Sequence, residues 1–285
     1  MAIWQVVLLS IAQGLAELLP VSSSAHVVVL EKLLGLNPSA PEMTLLLVML
    51  HTGTMFAVIA YFWRDWQREF FRDVAAFKRA AVLVIVATVL TAVIGFPLIK
   101  GIEHVLLKNH QKAEVEELFS HLEFIAPALF AAGLLILIAG LRDARGAKAT
   151  ADLGTKQAGL IGAVQGLALP FRGFSRSGST ISTGMLAGVE RRQAEVFSFA
   201  LAVVLTPPAV AREALRLYKA RAVLETGGLA GTVGSSLLGM VCAFLAGLLA
   251  LKWLSRWLES GRWYWFGVYC IVFAGVVFAL WRMGF

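Results

Sequence analysis

The stretch QGLAELLPVSSSAH, residues 13–26, places polar side chains inside an otherwise apolar start of the chain. It contains a carboxylate at Glu17, a run of serines at 22–24 and a histidine at His26. Its first four residues return in QGLALPFRGFSRSGST, residues 165–180, where a proline and a serine cluster follow again. A repeated tetrapeptide with the same order of proline and serines indicates an internal duplication. The two polar stretches therefore predict a chain built from two related halves.

The rest of the chain is too apolar for a water-soluble domain. Of its 285 residues, 59% are hydrophobic and 15% are charged, whereas about 25% of the residues of soluble domains are charged. Apolar runs of roughly 20 residues are long enough to cross a membrane. We predict six spans, at Met43–Trp63, Ala80–Ile99, Phe124–Leu141, Val196–Val210, Leu229–Leu251 and Trp263–Trp281. The composition therefore predicts an all-α integral membrane protein.

Each polar stretch lies between two apolar arms of roughly 10–15 residues, which are too short for two membrane crossings. A re-entrant helical hairpin is the simplest interpretation, because non-helical backbone at membrane depth must be buried in protein or line a wet cavity. We predict one hairpin at residues 1–35 and a second at 157–190. With three spans after each hairpin, residues 1–141 and 157–285 form an inverted repeat within one membrane domain, residues 1–285. Sites in such folds lie at the repeat interface.

The charges of the loops predict one orientation in the membrane. Residues 64–79 and 142–156 are rich in Lys and Arg, whereas residues 100–123 carry five glutamates. Basic loops are typically cytoplasmic, which places the acidic loop and both termini outside. The basic residues of 212–221 would then lie on the outer side, against the rule. The formal net charge of +7 fits these basic loops, so membrane lipids are expected as partners and nucleic acid is not.

The first polar stretch carries groups that can transfer a proton and bind an anion. Gln13 and Glu17 share one helix face because they are four residues apart. A carboxylate at membrane depth costs about 2.5–3.5 kcal/mol unless it is paired or wet. After Pro20, the serines can cap the next helix, whose free N–H groups can bind an anion. His26 follows one turn later, and histidine titrates near neutral pH.

The second polar stretch carries a cation. GFSRSGST, residues 173–180, surrounds Arg176 with serines and glycines. A guanidinium group binds phosphate oxygens bidentately, and glycines let backbone N–H groups approach an anion. Purely structural roles are the alternative, since serines often only cap helices and a lone glutamate often pairs with an arginine for structural reasons. We expect a phosphoryl-transfer site where the two stretches meet, and we assign no role to His51 or His104.

These motifs resemble the bacterial undecaprenyl-diphosphate phosphatase family of the bacitracin-resistance type. The resemblance rests on QGLAELLPVSSSAH, on GFSRSGSTISTGMLAGVERR at 173–192 and on LHTGTMFAVIAYFWRDW at 50–66. It implies a hydrolase of the bacterial inner membrane that removes the terminal phosphate of undecaprenyl diphosphate. The product is the lipid carrier of peptidoglycan synthesis, and the activity confers bacitracin resistance. The resemblance also implies interlocked inverted repeats and an active site that opens to the periplasm.

The resemblance further implies roles for individual residues. The implied catalytic residues are Glu17, Ser22, Ser23, His26 and Arg176, and the implied phosphate-binding residues are Gln13, Ser175, Arg176, Ser177 and Thr180. Either Ser23 attacks with His26 as its base, or His26 activates water directly. Glu17 either orients His26 or holds a divalent cation, Mg²⁺ or Ca²⁺. The chain departs from the family at Gln13, where a glutamate is common, and at Arg172, which stands in place of a proline.

A transporter is the competing interpretation. Broken helices, inverted repeats and polar groups near the midplane are also typical of secondary transporters. The same two polar stretches could move a phosphorylated prenyl lipid across the membrane without cleaving it, as a flippase does. Release of inorganic phosphate from a prenyl diphosphate separates the two classes. The sequence leaves the oligomeric state open, a homodimer included.

Overall fold

The computed structural model of the protein describes residues 1–37, 40–106, 122–146, 149, 151–219 and 229–284. All regular secondary structure in these residues is helical, which confirms the predicted all-α class. The helices are α1 (Ile3–Leu18), α2 (Ser23–Leu33), α3 (Pro41–Glu69), α4 (Val74–Leu106), α5 (Leu122–Ala144), α6 (Thr155–Ala168), α7 (Arg176–Leu186), α8 (Arg191–Lys219), α9 (Leu229–Glu259) and α10 (Tyr264–Arg282).

Six helices in the described part of the chain are long and apolar enough to cross a membrane. Each predicted span overlaps one of them: Glu42–Glu69, Val74–Ile102, Leu122–Ala144, Arg191–Arg212, Val233–Glu259 and Tyr264–Arg282. The helices are longer than the predicted spans, because α3 continues to Glu69 and α4 begins at Val74. The predicted loop 64–79 is therefore helical apart from a turn at 70–73. Most of the predicted acidic loop, 107–121, lies outside the described residues, as do residues 220–228.

The surface of α4 shows how the helices meet the membrane. Large apolar side chains on one face of this helix are 49% to 63% exposed: Val82, Ile85, Val89, Val93 and Phe96. Their spacing of three and four residues places them in one stripe. In water such a stripe would be a large unfavourable patch, whereas hydrocarbon covers it without cost. The chain is therefore a multi-pass membrane protein.

The two pairs of short helices pack across the halves of the chain. Helix α1 packs against α9, and α6 packs against α4. The close approach is made at matching glycines, because a Cβ at Gly14 would lie 2.7 Å from the Ala243 carbonyl oxygen and a Cβ at Gly166 would lie 2.8 Å from that of Thr91. This reciprocal packing is what an inverted repeat predicts. The division into repeats and the re-entrant path of the pairs stay predictions.

Ion pairs join several helix ends near the C-terminal end of α3. Arg192 at the start of α8 donates to Asp65 of α3 and to Glu195, at 2.7 Å in both cases. Arg191 donates to Asp143 of α5 at 2.5 Å. These bonds join α3, α5 and α8 at one end, and α7 packs against both α5 and α8. The scaffold therefore holds the turn before α7 against the turn after α1.

Candidate active site

The first tip is the turn between α1 and α2, and its backbone is unusual. Ser22 has φ +68°, and it is the one non-glycine residue with positive φ in the described part of the chain. Such a conformation costs energy in L-residues and occurs preferentially at functional sites. The Ser22 side chain makes no capping hydrogen bond to the start of α2. The first N–H groups of α2 are thus left without a side-chain cap, as in helix starts that bind anions.

Glu17 joins the two tips. Ser23 Oγ donates to Glu17 Oε2 at 2.5 Å, and Gln13 Nε2 donates to the same oxygen at 3.2 Å. The second tip is the turn between α6 and α7 together with the first residues of α7. From this tip, Arg176 Nη2 donates to Glu17 Oε1 at 3.0 Å. The side chains of Glu17 and Arg176 are 16% and 24% exposed, so the ion pair is sheltered and still reachable. The structure therefore brings a carboxylate, a hydroxyl and a guanidinium group into one cluster.

Contacts beyond this ion pair also hold the tips together. The backbone N–H of Gly173 donates to Ser24 Oγ at 3.2 Å, and Ser177 Oγ donates to the Leu19 carbonyl at 3.4 Å. Gly173 has φ +100°, and a Cβ there would lie 2.5 Å from the Ile125 carbonyl oxygen. Glycine is required at this position on both grounds. The second tip is thus wedged between the first tip and α5.

The predicted phosphate-binding hydroxyls of the second tip are engaged in protein contacts. Ser175 Oγ accepts from the N–H of Gly178 at 3.2 Å and so caps α7. Thr180 Oγ1 donates to the Arg176 carbonyl at 2.7 Å and lies 2.5 Å from Ser198 Oγ. Ser175, Ser177 and Thr180 are at most 5% exposed. To contact phosphate, Ser177 would have to break its bond to the Leu19 carbonyl and Thr180 its bond to the Arg176 carbonyl. Among the predicted phosphate-binding residues of the second tip, Arg176 is therefore the accessible one.

His26 has different partners from those expected. Its Nδ1 lies 2.8 Å from the Ser22 carbonyl oxygen, and its Nε2 lies 2.7 Å from the Tyr269 hydroxyl. The ring also stacks on Phe273 with a centroid distance of 4.1 Å. A carbonyl only accepts, so Nδ1 carries the hydrogen and, in the neutral ring, Nε2 accepts from Tyr269. Ser23 bonds to Glu17, so the expected Ser23–His26 and Glu17–His26 pairs are not the arrangement found.

His51, a residue without a role predicted from the sequence, lies in the cluster. Its Nε2 is 3.3 Å from Gln13 Nε2 and 3.9 Å from Glu17 Oε2. Its Nδ1 lies 2.8 Å from the Leu47 carbonyl oxygen. The signal that could have found it is its position inside a predicted span, where an ionisable residue is a functional candidate by default. Tyr269 carried no comparable signal, because tyrosine is common in membrane helices.

Arg172, in the turn before α7, interacts electrostatically with α2. Its charge interacts favourably with Glu31 of α2, whose side chain is buried. Glu31 Oε1 has no hydrogen-bond partner. Ser24 and Glu31 are seven residues apart, so they lie on one face of α2, and Ser24 contacts Gly173, the neighbour of Arg172. The departure from the family motif at Arg172 therefore adds a cation that interacts electrostatically with a buried carboxyl group of α2.

The donor set at Glu17 does not fit a metal ion held by the protein alone. Both carboxylate oxygens already accept hydrogen bonds, from Arg176 on one side and from Ser23 and Gln13 on the other. Within the described ranges no group of three His, Cys, Asp or Glu side chains could hold a metal ion. Mg²⁺ and Ca²⁺ need six or more oxygen ligands, which Mg²⁺ usually takes largely from water and substrate phosphates. The predicted cation would therefore depend on the substrate for its ligands.

Comparisons with known proteins agree with one another. Residues 6–276 match the family described as "Bacitracin resistance protein BacA". "Undecaprenyl-diphosphatase 2" of Acinetobacter baylyi is 55% identical over 284 residues, which cover 98% of each chain. "Undecaprenyl-diphosphatase" of Rhodopirellula baltica is 33% identical over 94% of this chain and 93% of its own. "Undecaprenyl-diphosphatase 2" of Burkholderia ambifaria is 33% identical over 99% of this chain and 98% of its own.

Proposed function

This chain belongs to the bacitracin resistance protein BacA family, and from that membership and its two joined tips we infer that it is an undecaprenyl-diphosphate phosphatase. It hydrolyses undecaprenyl diphosphate to undecaprenyl phosphate and inorganic phosphate. The reaction returns the lipid carrier to peptidoglycan synthesis and confers resistance to bacitracin. The observation that carries the mechanism is the contact of Arg176 with Glu17 at 3.0 Å, beside the Ser23 hydroxyl.

The substrate has an apolar tail and an anionic head, and the protein offers matching surfaces. The prenyl tail lies along the lipid-facing helices, and the diphosphate reaches the two tips. Arg176 binds phosphoryl oxygens with its guanidinium fork. The uncapped start of α2 adds backbone N–H groups, which favour negative charge at a helix N-terminus. These donors stabilise the charge that develops on the transferred phosphoryl group.

The ion pair between Arg176 and Glu17 couples substrate binding to base strength. Phosphoryl oxygens compete with Glu17 for the guanidinium group, and a carboxylate that loses its cation becomes a stronger base. Ser23 Oγ then attacks the terminal phosphorus and gives its proton to Glu17, and the bond from that phosphorus to the bridging oxygen breaks. Undecaprenyl phosphate leaves, and water hydrolyses the phosphoserine to release phosphate. In the other route Glu17 takes the proton from water, which attacks directly.

Two earlier expectations remain proposals for this enzyme. His26 transfers a proton through Nε2, the basic nitrogen of its neutral ring, which Tyr269 holds in place. Glu17 and the diphosphate together would hold a divalent cation, which would supply charge neutralisation there. Unchanged activity after thorough chelation would exclude the cation.

Phosphate release tests the function directly. The purified protein in detergent micelles is mixed with undecaprenyl diphosphate, and inorganic phosphate is measured over time. We expect turnover from the wild type and none from Ser23→Ala if the serine route operates, with phosphate trapped on Ser23 after rapid quenching. Movement of the lipid across vesicles without phosphate release would instead identify a transporter, which the phosphatase names of the relatives do not favour.

We place the protein in the bacterial inner membrane with its site open to the periplasm. Under the orientation predicted from loop charge, α3 begins on the outer side, and His51 lies in the first half of that helix. A Phe71→Cys variant tests this orientation, because Phe71 is 50% exposed in the turn between α3 and α4. We expect a membrane-impermeant thiol reagent to label it only after the cells are opened. Labelling in intact cells would reverse the orientation.

A further inference from the structure

Two hydrogen-bond acceptors face one another in the site. Glu17 Oε2 and His51 Nε2 are 3.9 Å apart. Gln13 Nε2 lies 3.2 Å from the first and 3.3 Å from the second, so its two hydrogens can serve both. With the carboxylate ionised and the ring neutral, no hydrogen lies between the two acceptor atoms themselves. Adding one proton turns this pair into a hydrogen-bonded ion pair, which is the stronger arrangement.

The tautomer of His51 follows from its other nitrogen. His51 Nδ1 lies 2.8 Å from the Leu47 carbonyl oxygen, one turn earlier in α3. A carbonyl oxygen has no hydrogen to give, so Nδ1 must carry one and Nε2 is the basic nitrogen of the neutral ring. The basic nitrogen therefore points at Gln13 and Glu17. The side chain is also 43% exposed at the protein surface.

The charged groups around His51 are few. From α1 it faces Glu17, and from α7 the Arg176 guanidinium lies on the other oxygen of that carboxylate. Helix α9 packs on both α1 and α3, and its charged side chains begin at Lys252, far along the helix. Helix α8 pairs its first charged residues with Asp65 and Asp143 and carries Arg212 near its other end. Glu17 is thus the charged partner that the structure gives His51 directly.

We propose that His51 accepts the proton from Glu17 during turnover and so restores the carboxylate, a proposal that rests on the phosphatase function above. When Ser23 or water forms the new bond to phosphorus, its proton goes to Glu17 and the electron pair of the broken bond stays on undecaprenyl phosphate. Glu17 passes the proton to His51 Nε2, which restores the carboxylate and makes an imidazolium. A movement of about 1 Å brings the two atoms to hydrogen-bond distance. The exposed imidazolium then releases the proton to water.

Chemical rescue tests this role in the full-length protein. We compare phosphate release by the wild type, His51→Ala and His51→Gln, each with and without added imidazole. We expect both variants to lose on the order of 10²-fold in kcat, the usual size of an acid–base contribution, with KM changed less than twofold. Imidazole restores His51→Ala, because the His51 side chain is 43% exposed and its removal leaves a space that free imidazole can enter. The rescue follows the unprotonated fraction of imidazole as pH rises.

A matched variant and a second measurement separate the outcomes. His104→Ala removes an exposed histidine of α4 and is expected to keep wild-type turnover without any response to imidazole. The pH–rate profile of His51→Gln is expected to lose an acidic limb that the wild type shows. Wild-type rates in either His51 variant would overturn the proposal, as would a loss in both variants that imidazole does not restore. An inactive wild type would instead contradict the proposed function.

Discussion

The two copies of Gln-Gly-Leu-Ala occupy equivalent positions in the two halves of the chain, but their side chains have different roles. In both copies the glycine lets two helices touch, Gly14 at Ala243 and Gly166 at Thr91. The glutamines diverge. Gln13 reaches Glu17 and His51 in the site, whereas Gln165 is fully buried and donates to Thr91 Oγ1 at 3.0 Å.

The divergence has a simple cause four residues later. Position 17 is glutamate and position 169 is leucine, so only the first copy places a second polar side chain on the same helix face. The repeated tetrapeptide thus preserves the packing of the helices and leaves the chemistry to its neighbours. A duplication of this kind supplies two similar helical supports, α1 and α6 with the turns that follow them. One of them carries the base Glu17 and the other carries the cation Arg176.

The starts of the second helices differ in the same way. Helix α7 is capped by Ser175, and positive φ in the turn before it falls on Gly173. Helix α2 has no side-chain cap, and positive φ falls on Ser22. The backbone of the second tip is therefore unstrained, and the start of its helix is capped. The backbone of the first tip is strained, and the first N–H groups of α2 have no side-chain cap. That is the arrangement expected if the first tip receives the transferred phosphoryl group.

Removing the cation of the second tip should have the largest effect. We expect Arg176→Ala to lower kcat/KM for phosphate release by on the order of 10³-fold or more, the usual size for an arginine that stabilises a phosphoryl transition state. Arg176→Lys should recover only a small part, because an ammonium lacks the bidentate fork. Arg256→Ala, at an exposed position of α9, is the control. Substantial turnover by Arg176→Ala would show that Arg176 does not stabilise the transferred phosphoryl group.

The matching glycines should respond alike. Gly14→Ala and Gly166→Ala each force a Cβ to within 2.7–2.8 Å of a backbone oxygen. We expect each to lower the free energy of unfolding by about 1–3 kcal/mol, as overpacking does, measured by denaturation in micelles. Gly275→Ala in α10 is the control, because nothing lies within 4 Å of its added Cβ. A large loss for only one of the pair would break the equivalence of the two supports.

The matching glutamines should respond differently. We expect Gln13→Leu to lower kcat on the order of tenfold, since it removes the hydrogen bonds to Glu17 and His51, each worth about 1 kcal/mol, with little change in stability. Gln165→Leu should keep kcat within about twofold and lower the free energy of unfolding by about 1 kcal/mol. Turnover and denaturation are measured on both variants. Equal losses of turnover would mean that the second copy also serves the chemistry.

The two serine positions before α2 and α7 should show the smallest contrast. Ser175→Ala removes a cap bonded at 3.2 Å and should lower the free energy of unfolding by about 1 kcal/mol. Ser22→Ala removes no cap, so we expect a clearly smaller loss. Thermal unfolding of the two variants side by side measures the difference. A larger loss for Ser22→Ala would show that its side chain supports the fold in another way.

Much of the fold could be predicted because it depends on local signals. Each span is an apolar run, and the hairpin helices begin at serines after a proline, so they could be placed from neighbouring residues alone. Helix lengths were underestimated, because the polar ends of α3, α4 and α8 continue as helix beyond the apolar run. The motifs predict Glu17, Ser22, Ser23, His26 and Arg176 as one catalytic set; in the structure Ser23 and Arg176 contact Glu17, whereas His26 contacts Tyr269.

The sequence by itself determined that the chain lies in a membrane and that two polar breaks interrupt it, because hydrophobicity and helix starts are read within a few turns. Only the tertiary structure decided which polar groups meet. Arg176 lies 159 residues from Glu17, Tyr269 lies 243 residues from His26, and His51 lies 38 residues from Gln13. These partners share no local pattern. They are brought together because helices from both halves pack through small residues, and packing of that kind depends on surfaces that no single segment contains.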